Sequence, residues 1–350
     1  MEIHQFLESF SDADAIGYHV LEIQKLLRSL NIKSKIYANN FDEKMQKKCL
    51  HFSEFSQGKH SRNIKLIFHH SIYSQAFEYF KKLPYSKTLI FHNISPPEFF
   101  GYRPEFQTLL RKGYQQLKQF NQVFNIAIAD SLFNRNILKK CGFKKEIIII
   151  PPFVNLRKKF QPYIKKRFKK NKKTNKIIFV SKVAPHKRQD EIIKSFLVYQ
   201  KLFNPKAKLY IIGSFNSTDS YYQRIQKLSE SQPLIKITGK ISLSRLVYHY
   251  QTANLFLCLS EHEGFAVPLT EAMFFNLPIV AYAAGAVPDT LGSGGILLKN
   301  KNPLVIAGVI NELMNNKMLQ KEIIKNQQKE LKRFGFKKIE NALKKWIIKN

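Results

Sequence analysis

The sequence predicts an α/β protein with two Rossmann-like domains, each a parallel sheet covered by helices. Short apolar runs alternate with amphipathic helical patterns along most of the 350 residues, which is typical of β-α-β units. Near the middle, a run of lysine and arginine interrupts the alternation, which then restarts. The length leaves room for two domains of ordinary size, and the apolar fraction of 44% is enough for two cores.

The first half begins with a strand-like run over residues 2–7, followed by a helix with one apolar face. That face consists of Ile16, Val20, Ile23, Leu26, Leu27 and Leu30. Further strands are expected at 33–38, 65–70, 87–93, 125–130 and 146–152. Helices are expected between them at 73–82, 103–121 and 131–140.

The basic run over residues 156–176 holds eleven lysine or arginine residues and no acidic one. A dense run of like charges resists burial and is typical of a boundary or linker. We therefore expect an N-terminal domain over 1–160, a basic linker over 161–175 and a second domain over 176–333. The default ligand site is the cleft that such a pair of domains forms.

The second half repeats the alternation of strands and helices. Strands are expected at 176–183, 207–213, 234–239, 255–260 and 277–282. Helices are expected at 188–202, 219–230, 242–252, about 268–275, 303–315 and 318–333.

The tail over residues 334–350 predicts a further amphipathic helix. Ile339, Leu343, Trp346 and Ile347 fall at helical spacing among lysines. Such a face either packs back onto the first domain as core or lies in a membrane interface. We favour the packing interpretation and keep the interfacial helix as the alternative.

Composition narrows the class of protein further. There are 58 Lys and Arg against 25 Asp and Glu, so the formal charge is +33, which attracts anionic partners unless it reflects only a biased genome. No long uncharged apolar run and no signal-like N-terminus are present, and three cysteines are too few for a disulfide framework or a zinc site. We expect a cytoplasmic protein, with peripheral attachment to the inner membrane face left open.

The most informative segment runs from Ser260 to Glu271. A strand ends at Ser260, and Pro268 stands where a helix tolerates the missing N–H, so a helix N-terminus should face the mouth of the sheet. Gly264 allows close approach of a ligand, and Glu263 and Glu271 can accept hydrogen bonds from sugar hydroxyls. The alternative is a capping loop with two solvated glutamates.

These two glutamates, separated by seven residues within EGFAVPLTEAM, resemble the EX7E signature of family 4 glycosyltransferases, which are retaining enzymes of the GT-B fold. The surrounding segments FVSKVAPHKRQDEIIKSF, LYIIGS, IKITGKIS and LPIVAYAAGAVPDTLGSGGILL fall in the order that the family has. In the first half, HQFLESFSDADAIGYHVL, FHNISPP and ADSLFNRNIL resemble the family's acceptor domain less sharply. The resemblance covers most of the chain.

The resemblance implies roles for residues of the second half. Glu271 would hold the ribose hydroxyls of the nucleotide, and Glu263 would contact hydroxyls of the donor sugar. Lys182 and Lys187 would bind the diphosphate and stabilise its departure. Lys182 stands where the family has arginine, so the planar two-pronged donor is lost, and Arg188 is a candidate to compensate. Backbone N–H groups around four positions would meet the sugar and diphosphate: Gly264, Phe265, Leu269 and Thr270.

In the first half, the resemblance singles out His92 and Gly17. His92 ends a predicted strand and would donate a hydrogen bond to a sugar hydroxyl or to developing charge. Gly17, in the first strand-to-helix loop, would let that loop pass under the diphosphate. The alternatives are a histidine satisfied by local backbone and an ordinary turn glycine. Of the adjacent His69 and His70, only one can face the ligand.

The implied reaction is transfer of a hexosyl group from a nucleotide-diphosphate sugar to a carbohydrate or lipid-linked acceptor. Such enzymes serve bacterial cell-surface polysaccharide or glycolipid synthesis. The family implies front-face attack, with the departing phosphate taking the acceptor proton and with no metal or other cofactor. Asp12 and Asp14 match a metal-binding DXD pattern, but that pattern belongs to a different glycosyltransferase fold.

Two other functions remain open at this point. One is a GT-B-fold nucleotide-sugar epimerase, against which the EX7E context argues. The other is a basic protein without transferase activity that binds nucleic acid or membrane. No nucleic-acid-binding motif accompanies the aromatic and lysine residues, so no nucleic-acid partner is expected, whereas an anionic membrane surface is a candidate partner.

Overall fold

A computed structural model describes residues 1–11, 15–56, 63–164, 168 and 174–349. The chain divides into two compact units. Unit 1 comprises Met1–Val154 together with the segment from Phe336 onward, and unit 2 comprises Asn155–Gly335. The predicted fold class, two Rossmann-like α/β domains, is confirmed by the sheets described below.

Unit 1 is built on a parallel sheet of seven strands in the order β3-β2-β1-β4-β5-β6-β7. The strands are β1 Glu2–Phe10, β2 Ile36–Phe41, β3 Leu50–His51, β4 Ile64–His70, β5 Ser86–Phe91, β6 Ile126–Ala129 and β7 Ile147–Ile149. The helices of its first segment are α1 Ala15–Ser29, α2 Gln75–Phe80, α3 Pro104–Leu117, α4 Phe120–Val123 and α5 Leu132–Lys140. Strands β4, β5 and β6 are buried at almost every position because helices cover both faces of a parallel sheet.

Gly17 lies inside helix α1 and is buried, so its expected place in the preceding loop is wrong. The helical spacing that begins at Ile16 already includes this position. Asp12 and Asp14, the discounted metal pattern, lie outside the described residues.

Unit 2 begins with helix α6, Leu156–Phe160. This helix lies in the basic run, whose charge predicted that it would stay out of a hydrophobic core. Phe160 is fully buried in the core of unit 2, against the rings of Tyr250, Phe274 and Phe275. The expectation fails here because one aromatic residue anchors the helix while its lysines remain at the surface or pair with acids. Most of the expected linker over 161–175 lies outside the described residues.

The sheet of unit 2 has six parallel strands in the order β10-β9-β8-β11-β12-β13. The strands are β8 Lys176–Val180, β9 Lys208–Ile212, β10 Ile235–Ile237, β11 Leu255–Cys258, β12 Ile279–Tyr282 and β13 Ile296–Leu298. The remaining helices are α7 Gln189–Leu202, α8 Ser220–Glu230, α9 Leu243–Thr252, α10 Val267–Phe274, α11 Val287–Leu291, α12 Pro303–Asn315 and α13 Lys317–Leu331. The chain runs outward from β8 in both directions, so β8 and β11 flank the point where ligands bind in such sheets.

The last helix, α14 Phe336–Lys349, packs on unit 1. Ile339, Leu343, Trp346 and Ile347 are at most 5% exposed and join a core cluster that contains Ile3 and Ile23. The interfacial-helix alternative is therefore wrong for this face, because the apolar side chains are already buried within unit 1. Among the described residues, no helix is both long and apolar enough to cross a membrane.

Candidate functional site

The candidate site of unit 2 lies at the carboxyl ends of β8 and β11, where two loops are tied together. Lys187 follows β8 and Glu263 follows β11, and the Lys187 Nζ lies 2.7 Å from Glu263 Oε1. Their side chains are 16% and 11% exposed, so this is a largely buried ion pair. The Glu261 N–H also donates to the His186 carbonyl at 2.8 Å, which joins the two loops through the backbone.

Gly285 supports the loop that carries Glu263. A Cβ atom at position 285 would lie 2.7 Å from the Glu263 carbonyl oxygen and 2.8 Å from its nitrogen, and Gly285 has φ of +57°. The Ala286 N–H donates to the same carbonyl at 2.9 Å. Only glycine meets both demands, the close approach and the left-handed backbone. Sequence reasoning gave Gly285 no role, and its one signal was a glycine shortly after a buried strand.

Helix α10 carries the second glutamate and begins as the sequence predicts, with Pro268 in its first turn. The preceding Ala266 has φ of 67°, in the left-handed region, which turns the chain sharply into the helix. Leu269 is fully buried, and its N–H donates to the Ala266 carbonyl at 2.9 Å. The Leu269 N–H thus already has an acceptor within the first turn, and its expected contact with the ligand stays a prediction.

Of the other expected backbone donors, Gly264 and Phe265 lie in the loop between Glu263 and α10, and Thr270 lies within α10. The Phe265 carbonyl accepts a hydrogen bond from Thr290 Oγ1 at 2.6 Å, which links this loop to helix α11. Phe265 and Thr270 are 8% and 4% exposed. The loop is thus fixed at both ends before any ligand arrives.

Glu271 lies in α10, 3% exposed, with both carboxylate oxygens hydrogen-bonded. Oε1 accepts from Lys159 Nζ at 2.7 Å, and Oε2 accepts from the Tyr250 hydroxyl at 2.8 Å. Burial, with the charge of Glu271, raises the pKa of Tyr250 well above its usual value, so the phenol stays protonated and donates. Neither Lys159 nor Tyr250 was singled out from sequence, because no local pattern links them to Glu271.

The two remaining basic candidates occupy different surroundings. Lys182 is exposed in the loop after β8. Arg188 has a left-handed backbone, with φ of 52°, and its guanidinium pairs with Glu191 and lies 3.6 Å from Glu261. Lys301 bridges the same two glutamates. The Arg188 guanidinium is thus held by carboxylates of unit 2, and its expected role at the diphosphate stays a prediction.

In unit 1, His92 lies just beyond β5 in a buried hydrogen-bonded chain of side chains. Its Nδ1 is 2.8 Å from Asp130 Oδ2, and its Nε2 is 2.9 Å from His69 Nδ1. His69 Nε2 in turn lies 3.0 Å from Gln5 Oε1, and the Gln5 amide nitrogen donates to the Val20 carbonyl. Both ring nitrogens of His92 are engaged, so the expected hydrogen bond from His92 to a sugar hydroxyl is not available in this arrangement.

The hydrogen-bonded side chains from Gln5 to Asp130 require a definite number of N–H groups. Gln5 Oε1 and a carboxylate at Asp130 are both acceptors, so each end needs an N–H, and the contact between the two rings needs a third. Two neutral imidazoles carry only two N–H groups. A hydrogen bond at each of the three contacts therefore requires one more proton than two neutral imidazoles carry. Burial, followed by the charges of His92 and His19, lowers the pKa of His69 well below 6.5.

Two further buried histidines of unit 1, His19 and His70, are neutral. His19 Nδ1 accepts a hydrogen bond from the Phe153 N–H at 2.7 Å, and burial, then the charge of His92, lowers its pKa well below 6.5. His70 points into the phenylalanine core, where its ring meets that of Phe120 at 4.8 Å. Burial, its largest cause, lowers the pKa of His70 to about 3. Thus His69 joins the polar chain while His70 is a core residue.

Comparison with known proteins identifies a family model that matches part of the chain. Residues 160–330 match the family model for glycosyl transferases group 1. The chain is 23% identical over 233 residues to the capsular polysaccharide biosynthesis glycosyltransferase CapM of Staphylococcus aureus. That match covers 64% of this chain and 58% of the relative, so the chain spans little more than half of the relative's length.

Solved structures share the fold over the full length. Anabaena Alr3699/HepE in complex with UDP and glucose superimposes with a TM-score of 0.76 at 14% identity, covering 100% of both chains. Sucrose-phosphate synthase from Thermosynechococcus elongatus gives 0.76 at 11% identity, covering 100% of this chain and 99% of that one. At these identities the likeness establishes the fold, which is that of GT-B glycosyltransferases.

Proposed function

We propose that this chain, whose residues 160–330 match the family model for glycosyl transferases group 1, moves a hexosyl group from a nucleotide-diphosphate sugar to an acceptor hydroxyl with retention of anomeric configuration. The observation that carries the proposal is the pairing of Lys187 with Glu263 at the carboxyl ends of β8 and β11, with Glu271 in the helix α10 that follows. Unit 2 thereby presents a cation for phosphate and carboxylates for hydroxyls.

Each residue then has a part in the reaction. Glu271 accepts hydrogen bonds from the ribose, and Glu263 accepts them from the donor sugar. As the bond between sugar and phosphate breaks, negative charge grows on the leaving diphosphate, and the ammonium groups of Lys187 and Lys182 stabilise it. The first turn of α10 adds its positive dipole end. No protein nucleophile is required, because the departing phosphate accepts the proton of the acceptor hydroxyl.

The preformed geometry supports this assignment. Gly285 and the Ala286 N–H fix the Glu263 backbone, and the ion pair fixes its side chain next to Lys187. Groups held in place before the reaction need no reorganisation when charge develops. The similar Anabaena Alr3699/HepE binds UDP with glucose, and UDP-glucose, so we place uridine nucleotides first among candidate donors.

The first experiment is a panel of UDP-, GDP- and ADP-hexoses tested by thermal shift and by release of the nucleoside diphosphate. A true donor raises the melting temperature, since it binds the folded state. Proton NMR of the anomeric centre in the product tests retention. An isomerised nucleotide-sugar with no transferred hexose would instead identify an epimerase, and loss of turnover in EDTA would contradict the metal-independent mechanism.

Glu271→Ala is the variant that tests the site. Loss of hydrogen bonds to a charged group should weaken nucleotide binding by roughly 1.5–3 kcal/mol, or about 10- to 100-fold in Kd. Glu322→Ala, an exposed glutamate of α13, is the matched control and should bind normally. Unchanged nucleotide affinity of Glu271→Ala in calorimetry would contradict the assignment.

We also propose that the acceptor belongs to a surface polysaccharide or glycolipid, which would place the enzyme at an anionic membrane. CapM is named for capsular polysaccharide synthesis, and the net charge is +33. Arg111 and Lys112 are exposed on α3, whereas residues 165–167 and 169–173 of the basic run lie outside the described residues. Vesicle sedimentation should show binding only with anionic lipid and its loss as salt rises. Equal recovery in the supernatant under all conditions would exclude this attachment.

A further inference from the structure

Lys159 forms an ion pair with Glu271, although it lies 112 positions earlier in the chain. It belongs to α6, the five-residue helix with which unit 2 begins. The Asn155 side chain caps this helix by accepting from the Lys158 N–H, and the neighbouring Phe160 is fully buried. Lys159 is therefore presented to Glu271 by a helix fixed at both ends.

The ion pair is well shielded from solvent. The Lys159 and Glu271 side chains are 15% and 4% exposed, and the ammonium also lies 5.1 Å from the Phe160 ring centre. A carboxylate buried to this degree requires a partner charge to remain ionised at modest cost. Tyr250 donates a neutral hydrogen bond to the other oxygen and does not supply that charge.

A count of acceptor positions links this pair to nucleotide binding. An ionised carboxylate offers about four lone-pair positions. Lys159 and Tyr250 each occupy one, on different oxygens. Two positions remain, one on each oxygen, which is the number that the two hydroxyls of a ribose require.

We propose that Lys159 is a positioning residue for ribose recognition: it holds the Glu271 carboxylate in an orientation in which one acceptor position on each oxygen faces the nucleotide. This inference rests on the proposed function and assigns the specificity for a ribose diol to a Lys159–Glu271–Tyr250 triad. Lys159 acts through Glu271 and has no direct contact with the ligand in this scheme. An apolar side chain at position 159 would leave Glu271 free to rotate, and that rotation removes an acceptor position from the nucleotide.

The test compares binding of a nucleoside diphosphate with binding of its 2′-deoxy form. UDP, GDP and ADP are each measured by calorimetry alongside the corresponding 2′-deoxynucleotide. The wild-type protein should prefer the ribonucleotide by about tenfold or more, the loss typical of a hydrogen bond to a charged group. In Lys159→Met this preference should fall toward one, and Lys159→Arg, which keeps the charge, should retain most of it.

Two further variants make the test specific. Lys158→Met removes the adjacent exposed lysine and should leave the preference unchanged. Glu271→Gln should lose the preference by itself, and Lys159→Met combined with Glu271→Gln should be no worse than either single change, since both act through one contact. A merely structural role for Lys159 would weaken both nucleotides equally and keep their ratio.

The outcomes separate this inference from the proposed function. A wild-type preference that survives intact in Lys159→Met overturns the role of Lys159 and leaves the glycosyltransferase proposal standing. Nucleotide binding with no ribose preference in the wild-type protein overturns the role of the whole triad. No binding of any of the three diphosphates overturns the proposed function and this inference together.

Discussion

Acid should destabilise unit 1, and His70 should account for a measurable part of the loss. Its ring is buried among phenylalanines, and burial lowers its pKa to about 3 in the folded protein, against 6.5 for the ordinary side chain. Below about pH 6.5 the unfolded chain takes up a proton that the folded chain does not. Stability present above that pH is therefore lost as the pH falls, and the loss levels off near the folded pKa.

The magnitude follows from the two pKa values. Each pH unit below 6.5 costs about 1.4 kcal/mol for one such histidine, so a fall to about pH 4.5 costs roughly 2.7 kcal/mol. His19 and His69 also have lowered pKa values, because of burial, and add losses of the same sign. The total is a large fraction of the stability of an ordinary domain.

Urea denaturation followed by tryptophan fluorescence measures this loss for unit 1 specifically. The chain has one tryptophan, Trp346, and it is 5% exposed in the core of unit 1. The free energy of unfolding of His70→Leu should fall less between about pH 7.5 and pH 4.5 than that of the wild type, by roughly 2.7 kcal/mol. Phe77→Leu is the matched control, since it perturbs the same buried cluster without removing a titratable group. Equal pH dependence of His70→Leu and the wild type would refute the reasoning.

Three further predictions concern the site in unit 2. Lys187→Ala should lower kcat more than it raises the KM for the donor, because the Lys187 ammonium stabilises charge that develops in the transition state. An effect on KM alone would show that Lys187 only binds the ground state. Lys182→Arg should leave kcat/KM intact or higher, since it restores a two-pronged donor, and a large loss would exclude a contact with the diphosphate. Gly285→Ala should lower turnover at least tenfold by displacing Glu263. The control Gly308→Ala, in open space within α12, should leave turnover unchanged and stabilise unit 2 by about 0.5–1 kcal/mol. Equal turnover in both variants would contradict the role of Gly285.

The strands and helices could be predicted because their signals are local. The apolar run 255–260 and the proline at position 268 place β11 and α10 to within a few residues of their observed bounds. The two-residue strand β3, Leu50–His51, was not predicted, because two residues are too few to show a periodic pattern. Likewise, the charge of the basic run concealed α6, whose place is decided by the burial of Phe160 alone.

The partners of the candidate site residues could not be predicted in the same way. His69 meets His92 across 23 positions because neighbouring strands end at the same edge of the sheet. Lys159 meets Glu271 across 112 positions because Phe160 packs helix α6 against α9 and α10. The motif predicted Glu263, Glu271 and Lys187 as a group, and the structure brings Lys187 to Glu263. It could not predict that the nitrogens of His92 are already engaged within unit 1, because that depends on long-range packing.

The position of α14 has a consequence for how the protein is made. The core of unit 1 is completed by Ile339, Leu343 and Trp346, which the ribosome adds after all of residues 155–335. During synthesis, unit 2 can close its own core first, while the apolar surface around Ile3 and Ile23 waits for its last helix. A nascent chain that stalls before residue 336 would therefore have a folded unit 2 and a unit 1 with exposed apolar surface, which is the kind of species that chaperones retain.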